Sequence, residues 1–202
     1  MCALWMPLQS AEIGKEKHNM NFDALEKNLT DNILEAQLKL GYSEMPISLN
    51  FMLLSLCHLL ETDADTEKMQ QILAEFSDYA KPRFGEITYR QIDGGFCFRV
   101  PAEGAAYVHT HAEGGEFIRT LLDAVRDPAA TLETVFAVFR SASDDAVITE
   151  SPDDEFDYLA YFPDGVPDSY RYCIAAEEDI DGSIRISYHR FTKADYDDFG
   201  FA

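Results

Sequence analysis

Positively charged residues are scarce in this chain of 202 residues. It has 16 Lys plus Arg against 37 Asp plus Glu, which gives a formal net charge of −21 at pH 7. Nucleic acids and anionic membrane surfaces are bound by clusters of Lys and Arg. The composition therefore predicts no nucleic-acid partner and no membrane partner. The hydrophobic content of 47% is typical of a folded domain and excludes a disordered chain.

Long apolar runs and closely spaced cysteines are also missing. The longest apolar run is about eight residues, whereas a membrane-spanning helix needs about twenty. The four cysteines, Cys2, Cys57, Cys97 and Cys173, are far apart in the sequence. This spacing favours neither a disulfide scaffold nor a structural zinc site. Reduced thiols in a cytoplasmic protein are the expected state.

The first 19 residues show neither a helical nor a strand period. The apolar stretch 1–8 precedes Lys15 and Lys17, whereas a secretory signal has its positive charges first. We interpret residues 1–19 as a flexible N-terminal extension. Residues 20–202 are predicted to form a single α+β domain.

The helical part of this domain covers about 20–82. Apolar residues at steps of three and four predict one helix over 22–40. A leucine-rich run over 48–60 predicts a second helix, buried on most sides. A third helix is predicted over 66–81, because Pro82 disfavours helical geometry at the residue before it. These three helices form the expected N-terminal helical layer.

The strand-rich part covers about 86–202. Alternating apolar residues, turn signals and caps indicate its elements. Helices segregated from antiparallel strands indicate an α+β fold. Whether the early hairpin joins the later sheet or stands apart is open. The predicted elements are a β-hairpin at 87–100, two further helices at 115–126 and 131–141, a C-terminal antiparallel β-meander between 146 and 188, and a short final helix from Thr192 to Phe199.

Three strings in the meander resemble the C-terminal half of a bacterial family of domains of unknown function. They are Phe156-Asp157-Tyr158-Leu159, Tyr170-Arg171-Tyr172-Cys173 and Tyr188-His189-Arg190-Phe191-Thr192. The resemblance covers about half of the chain. It implies a cytoplasmic bacterial protein, but it implies no activity and no catalytic residues.

The motif His109-Thr110-His111, followed by Glu116, has the pattern of a metal site. It resembles the first metal motif of the cupin barrels, where a strand places both imidazoles on one face. The residues after Glu116 predict a helix instead of a further strand, and the second cupin motif is missing. One interpretation is a divalent transition metal held by His109, His111 and Glu116. The other is a polar loop that places Glu113 and Glu116 near a helix N-terminus.

Cys173 and His189 lie on consecutive predicted strands, so the strand register decides whether they meet. A two-residue turn at Asp181-Gly182 puts Cys173 opposite Arg190. A three-residue loop puts it opposite His189. The second register alone allows a thiolate–imidazole pair.

Two features of the C-terminal half indicate binding. From Asp144 to Asp181 there are 13 acidic residues and one basic residue, which predicts either solvated turns or an acidic face that docks a basic protein. Tyrosines and arginines in the strands predict an open sheet face that holds a small anionic or planar ligand. The candidate ligand-binding residues are Tyr158, Tyr170, Tyr172, Tyr188, Arg171, Arg190 and His189.

The sequence has no P-loop, dinucleotide fingerprint, nucleophile elbow or HExxH motif. The leading hypothesis is therefore a non-enzymatic binding or protein-interaction module with an acidic C-terminal half. We expect no cofactor, and we expect a basic protein or a small ligand as its partner. The alternative is a metal-dependent enzyme centred on His109, His111 and Glu116.

Overall fold

The computed structural model describes residues 20–152, 154–178, 180 and 182–198. The predicted extension over 1–19 lies outside the described residues, as do Asp153, Asp179, Asp181 and Phe199. The described residues form seven helices and two sheets. In chain order the elements are α1 (Asp23–Leu40), β1 (Ile47–Met52), α2 (Leu53–Leu59), α3 (Thr66–Phe84), β2 (Thr88–Ile92), β3 (Gly95–Val100), α4 (Ala102–His111), α5 (Glu116–Arg126), α6 (Leu132–Ala142), β4 (Val147–Glu150), β5 (Tyr158–Tyr161), β6 (Arg171–Glu178), β7 (Ile184–Phe191) and α7 (Lys193–Asp198).

The strands form two separate antiparallel sheets. The first sheet has the order β1-β3-β2, and the second has the order β4-β5-β6-β7. The early hairpin, β2 and β3, therefore stands apart from the C-terminal meander. The α+β class, the meander and the short final helix are confirmed.

A strand occupies the first half of the helix that was predicted over 48–60. Ile47, Leu49 and Phe51 alternate along β1 and pack into the first core. β1 pairs with β3, which is thereby the central strand of its sheet. The prediction of a helix was wrong because it relied on the high density of apolar residues and ignored that they alternate with a period of two, which is typical of a strand. In addition, β3, whose backbone hydrogen bonds hold β1 in the sheet, lies more than 40 residues further along the chain, so local sequence does not indicate the pairing.

Helix α4 was not predicted, and it follows β3 directly. Its N-cap is Pro101, whose φ of −67° suits the proline ring. Gly104 lets α4 approach α3, since a Cβ at this position would lie 2.5 Å from the carbonyl oxygen of Phe84. Helix α3 itself continues to Phe84, so its predicted end before Pro82 was wrong. Complete burial of Phe84 holds the last turn in place.

Helix α1 lies between two hydrophobic cores. Leu25, Leu29 and Ile33 of its predicted stripe are fully buried in the core of the first sheet, whereas Leu40 at the end of the stripe is exposed. The second core joins α5, α6 and the second sheet, with Phe117 and Phe139 among its buried rings. Another side of α1 faces the second sheet, and this side is polar.

Candidate functional site

The second sheet divides the seven predicted ligand-binding residues between its two faces. Successive residues of a strand point to opposite faces. The register aligns Tyr172 with Ala160 and Arg190, and it aligns Arg171 with Tyr161. The face toward α1 carries Tyr158, Tyr170, Tyr172, Tyr188 and Arg190, and the other face carries Arg171 and His189.

Arg190 and Glu35 form a buried ion pair where α1 meets the second sheet. Arg190 Nη2 lies 2.7 Å from Glu35 Oε2, and the side chains are 5% and 11% exposed. The Tyr188 hydroxyl donates to Glu35 Oε1 at 2.8 Å. The Lys39 ammonium lies 2.8 Å from the same oxygen. The Arg190 guanidinium also stacks over the Tyr170 ring at 4.2 Å. Both oxygens of the Glu35 carboxylate are therefore engaged.

Two of the other three tyrosine hydroxyls of this face also have protein partners. The Tyr170 hydroxyl donates to Asp31 Oδ2 at 2.7 Å and accepts from Asn28 Nδ2 at 3.2 Å. The Tyr172 hydroxyl donates to Asp168 Oδ2. The network is thus built from groups that satisfy one another.

The electrostatics of this network are those of a structural contact. Burial raises the pKa of Glu35, but the attraction of Arg190 and Lys39 outweighs it, so the net pKa is lowered. Burial and the neighbouring carboxylates raise the pKa of Tyr170 and Tyr188 far above the ordinary value. The neutral phenol of Tyr188 therefore donates to the ionised carboxylate of Glu35.

The expectation of an open tyrosine-lined face was wrong. Tyr172 is completely buried, because the rings of Phe117 in α5 and Phe139 in α6 pack against it. The sequence held a signal for this arrangement that our reasoning missed. Asn28, Asp31, Asn32 and Glu35 recur at helical spacing along α1, which is a second stripe beside the apolar one.

On the outer face of the second sheet, Cys173 lies directly opposite His189. The register expected for a three-residue loop is therefore the one adopted. The Cys173 side chain is buried in a small cluster with Phe156 and Tyr196. The His189 ring packs against Phe156, with 5.5 Å between ring centroids. Both side chains belong to the packing of α7 and the loop before β5 onto the sheet.

His109 and His111 lie in helix α4, so the strand on which the metal interpretation depended was wrong. Residues two apart on a helix point in widely different directions. His109 stacks on Tyr42 at 4.1 Å, and His111 stacks on Tyr107 at 4.5 Å. Across the described part of the chain, no three His, Cys, Asp or Glu side chains are grouped to hold a metal ion.

His109 and Glu116 nevertheless line the same cavity, which has a volume of about 590 Å³. We call it the junction cavity, because it lies where α1, the end of α4 and the start of α5 meet. Gln37 of α1 is 7% exposed, and its Nε2 donates to the Ala105 carbonyl oxygen at 2.7 Å. Its Oε1 is buried without a hydrogen-bond partner. The other lining residues are Leu34, Leu38, Tyr42, Ala112, Glu113, Gly114, Gly115 and Arg119.

A larger concave surface, of about 1720 Å³, lies among α1, α2, α3 and α7. We call it the acidic groove, because carboxylates dominate its walls. Among the described residues, Lys68 is its one basic lining residue other than His58. Phe22, Ile72 and Tyr79 add apolar surface. The lining carboxylates are those of Asp23, Glu61, Asp63, Glu75 and Asp78.

His58 lies at the edge of the acidic groove and connects α2 to α7. Its Nδ1 is 3.0 Å from Asp195 Oδ1, and its Nε2 is 2.7 Å from Asp198 Oδ2. Burial opposes the charged form, but the hydrogen bonds to the two carboxylates outweigh it and raise the pKa of His58. Sequence reasoning missed this contact, since nothing local links residues 137 positions apart.

The described acidic residues between 144 and 178 are divided between the two ends of the second sheet. Consecutive strands of this sheet run in opposite directions, so the end of β4, the β4–β5 connection and the end of β6 all lie at the same end of the sheet. The exposed carboxylates of the two ends are Glu150, Asp154, Glu155, Asp157, Glu177 and Glu178 at the first, and Asp144, Asp145 and Asp164 at the second. The described residues of this stretch therefore do not form one continuous acidic face.

None of the described helices combines the length and the apolar character needed to cross a membrane. Searches of curated proteins and of solved structures give no match. A family model matches residues 22–200, a range that contains every element from α1 to α7. Its description is "Domain of unknown function, E. rectale Gene description". This match confirms the resemblance of the meander to an uncharacterised bacterial family, and the chain belongs to that family, DUF3877.

Proposed function

We propose that this chain is a non-enzymatic interaction module that binds a basic polypeptide segment in the acidic groove. One observation carries the proposal: a single concave surface combines negative charge with apolar area. Glu61, Asp63, Glu75 and Asp78 are exposed around this surface. Among the described residues, five carboxylates line this surface against one lysine or arginine, Lys68.

The size and lining of the groove favour a polypeptide over a small molecule. Its volume of about 1720 Å³ exceeds the roughly 300–1,000 Å³ of ordinary small-ligand pockets. Lys and Arg side chains pack their aliphatic stems on apolar surface while their charged heads pair at the rim. Phe22, Ile72 and Tyr79 supply apolar surface for these stems.

This proposal keeps the expected basic partner but changes the expected docking surface. The described acidic residues between 144 and 178 are divided between two sheet ends, whereas the groove gathers its carboxylates around one concavity. A cytoplasmic location remains part of the proposal. It is supported by Cys57, Cys97 and Cys173, which form no disulfide.

Binding in this groove should depend strongly on salt. Exposed charge pairs are screened over about 10 Å at 0.1 M ionic strength and over about 3 Å at 1 M. Charge complementarity at a rim mainly raises the association rate. We therefore expect raised salt to weaken binding largely through slower association.

The test measures binding of a labelled peptide of alternating Lys and Leu residues to the purified chain by fluorescence anisotropy. A peptide with Glu in place of Lys is the control ligand. Two variants remove the same number of carboxylates from different surfaces. The groove variant carries Glu61→Gln, Glu75→Gln and Asp78→Asn. The matched control variant carries Glu150→Gln, Asp154→Asn and Glu178→Gln.

We expect the groove variant to bind the Lys-Leu peptide at least about tenfold more weakly, equivalent to about 1.4 kcal/mol. The control variant should retain most of the affinity, and the Glu-Leu peptide should not bind. Equal losses in both variants would show that net charge alone attracts the peptide, and the groove proposal would fail. Failure of the Lys-Leu peptide to bind the wild-type chain at low salt would also overturn it.

A further inference from the structure

We propose that, in the absence of a partner, the acidic groove is occupied by the segment of this chain that precedes Met20, with Lys15 and Lys17 against the groove carboxylates. The segment then acts as an internal competitor for a basic partner. This inference rests on the proposed function, because it concerns access to the same groove. Three features carry it: the place where the segment joins the groove, the short tether and the alternation of its charges.

The segment joins the folded domain at the wall of the groove itself. Met20, Asn21 and Phe22 are lining residues. The Phe22 ring is buried and packs on the ring of Tyr79, another lining residue, with 5.3 Å between centroids. The backbone N–H of Asp23 donates to the Asn21 side chain at 2.9 Å. These contacts fix the point from which the segment leaves the groove wall.

The tether between this point and the two lysines is short. Two residues separate Lys17 from Met20, and four separate Lys15 from it. Because an extended chain spans at most about 3.3–3.6 Å per residue, the α-carbons of Lys17 and Lys15 lie within about 11 Å and about 18 Å of that of Met20. A short tether gives a tethered group an effective concentration in the millimolar range. A weak contact is therefore enough for substantial occupancy of the groove.

The order of residues gives the segment one side that complements the groove. In an extended polypeptide, successive side chains point to opposite sides. An extended segment would place Ile13, Lys15 and Lys17 on one side and Glu12 and Glu16 on the other. The first side combines an apolar residue with two cations, as the groove combines apolar surface with carboxylates.

Helix α3 presents matching groups beside the point of departure. Asp78 precedes Tyr79, whose ring packs on Phe22, and Glu75 lies one helical turn earlier. Both carboxylate side chains are exposed. Ile72, a further turn away, is an apolar lining residue. Starting from the point of departure, the helix offers two carboxylates and then an apolar side chain, and the segment offers two lysines and then an isoleucine.

The first test is carbodiimide cross-linking of the purified full chain, which joins lysine amines to carboxylates that touch them. The links are mapped by mass spectrometry at low salt and at 1 M salt. We expect links from Lys15 or Lys17 to groove carboxylates at low salt, and fewer at 1 M, where charge attraction is screened beyond about 3 Å. The pair of Lys27 and Asp31, at 2.6 Å, is the internal positive control.

The second test measures binding of the Lys-Leu peptide to two full-length variants by fluorescence anisotropy. The segment variant carries Lys15→Gln and Lys17→Gln. The matched control variant carries Lys27→Gln and Lys81→Gln, which change the net charge equally at exposed positions that do not line the groove.

We expect the segment variant to bind the peptide at least about threefold more tightly than the wild type, because an outside ligand binds in proportion to the open fraction of a site. The control variant should match the wild type. The inference fails, and the groove proposal stands, if the peptide binds the wild type and the segment variant equally, or if the lysines form no groove links while the positive control does. Equal tightening in both variants would show an effect of net charge and would also contradict it. A peptide that binds neither the wild type nor the segment variant refutes the proposed function itself, and the role of competitor with it.

Discussion

The contact of His58 with helix α7 should make the stability of this chain depend on pH. A neutral imidazole has one N–H and can donate to one of the two carboxylates only. Both ring nitrogens lie within hydrogen-bond distance of a carboxylate oxygen, so the imidazolium is the form that satisfies the site. This is the physical origin of the raised pKa of His58.

The sign of the effect follows from linkage. The folded-state pKa of His58 lies above its ordinary value of 6.5. The stabilisation is therefore fully present below about pH 6.5 and is lost as the pH rises through the folded-state pKa. Glu61, Asp63 and Lys68 line the acidic groove together with His58, and their contribution must be separated from that of α7.

The size of the effect can be worked out from exposure. A hydrogen bond to a charged group contributes about 1.5–3 kcal/mol, and Asp195, at 10% exposure, fits the lower part of this range. Asp198 is 52% exposed, so its contribution is reduced to about 0.5 kcal/mol. The sum is about 2 kcal/mol, which corresponds to a change in Tm of about 4–8 °C for a chain of this length.

A double-mutant cycle isolates this contribution. Tm and the free energy of unfolding are measured for the wild type, His58→Gln, Asp195→Asn and the double variant, at about pH 6 and about pH 9. We expect a coupling energy of about 1.5 kcal/mol between His58 and Asp195 at the lower pH and a clearly smaller one at the higher pH. His111→Gln, at an exposed position outside this contact, is the control. A coupling energy that stays constant or grows with pH would refute the reasoning.

Three further predictions concern the framework. Arg190→Leu removes the charge partner of buried Glu35 and should lower the free energy of unfolding, measured in urea, by about 3 kcal/mol. Because the pKa of Glu35 is lowered in the folded state, this loss of stability should become smaller as the pH falls below about 4.5. Gly104→Ala places a Cβ 2.5 Å from the Phe84 carbonyl oxygen and should destabilise the chain by about 1–3 kcal/mol, and an unchanged urea midpoint would contradict this packing. Leu29→Ala removes a fully buried side chain and should lower the free energy of unfolding by about 2–5 kcal/mol, measured by calorimetry.

The elements with a strong local period were predictable from the sequence. Helix α1 was expected over 22–40 and spans Asp23–Leu40. The β2–β3 hairpin formed at Asp93-Gly94-Gly95 because a turn there is chemically favoured. The acidic composition likewise followed from residue types alone. The polar stripe of α1, formed by Asn28, Asp31, Asn32 and Glu35, was also visible in the sequence as residues at helical spacing.

What the sequence alone determined, then, was the α+β class, most element positions and the excess of negative charge, because these depend on residues near one another in the chain. The tertiary structure decided that 47–52 is a strand, that the polar side of α1 is covered by a sheet, and which carboxylates share a groove. These outcomes depend on contacts over long separations, such as 153 positions between Glu35 and Tyr188. Local periodicity indicates which face of a segment is apolar and which is polar, whereas strand pairing and burial depend on which distant segment packs against each face.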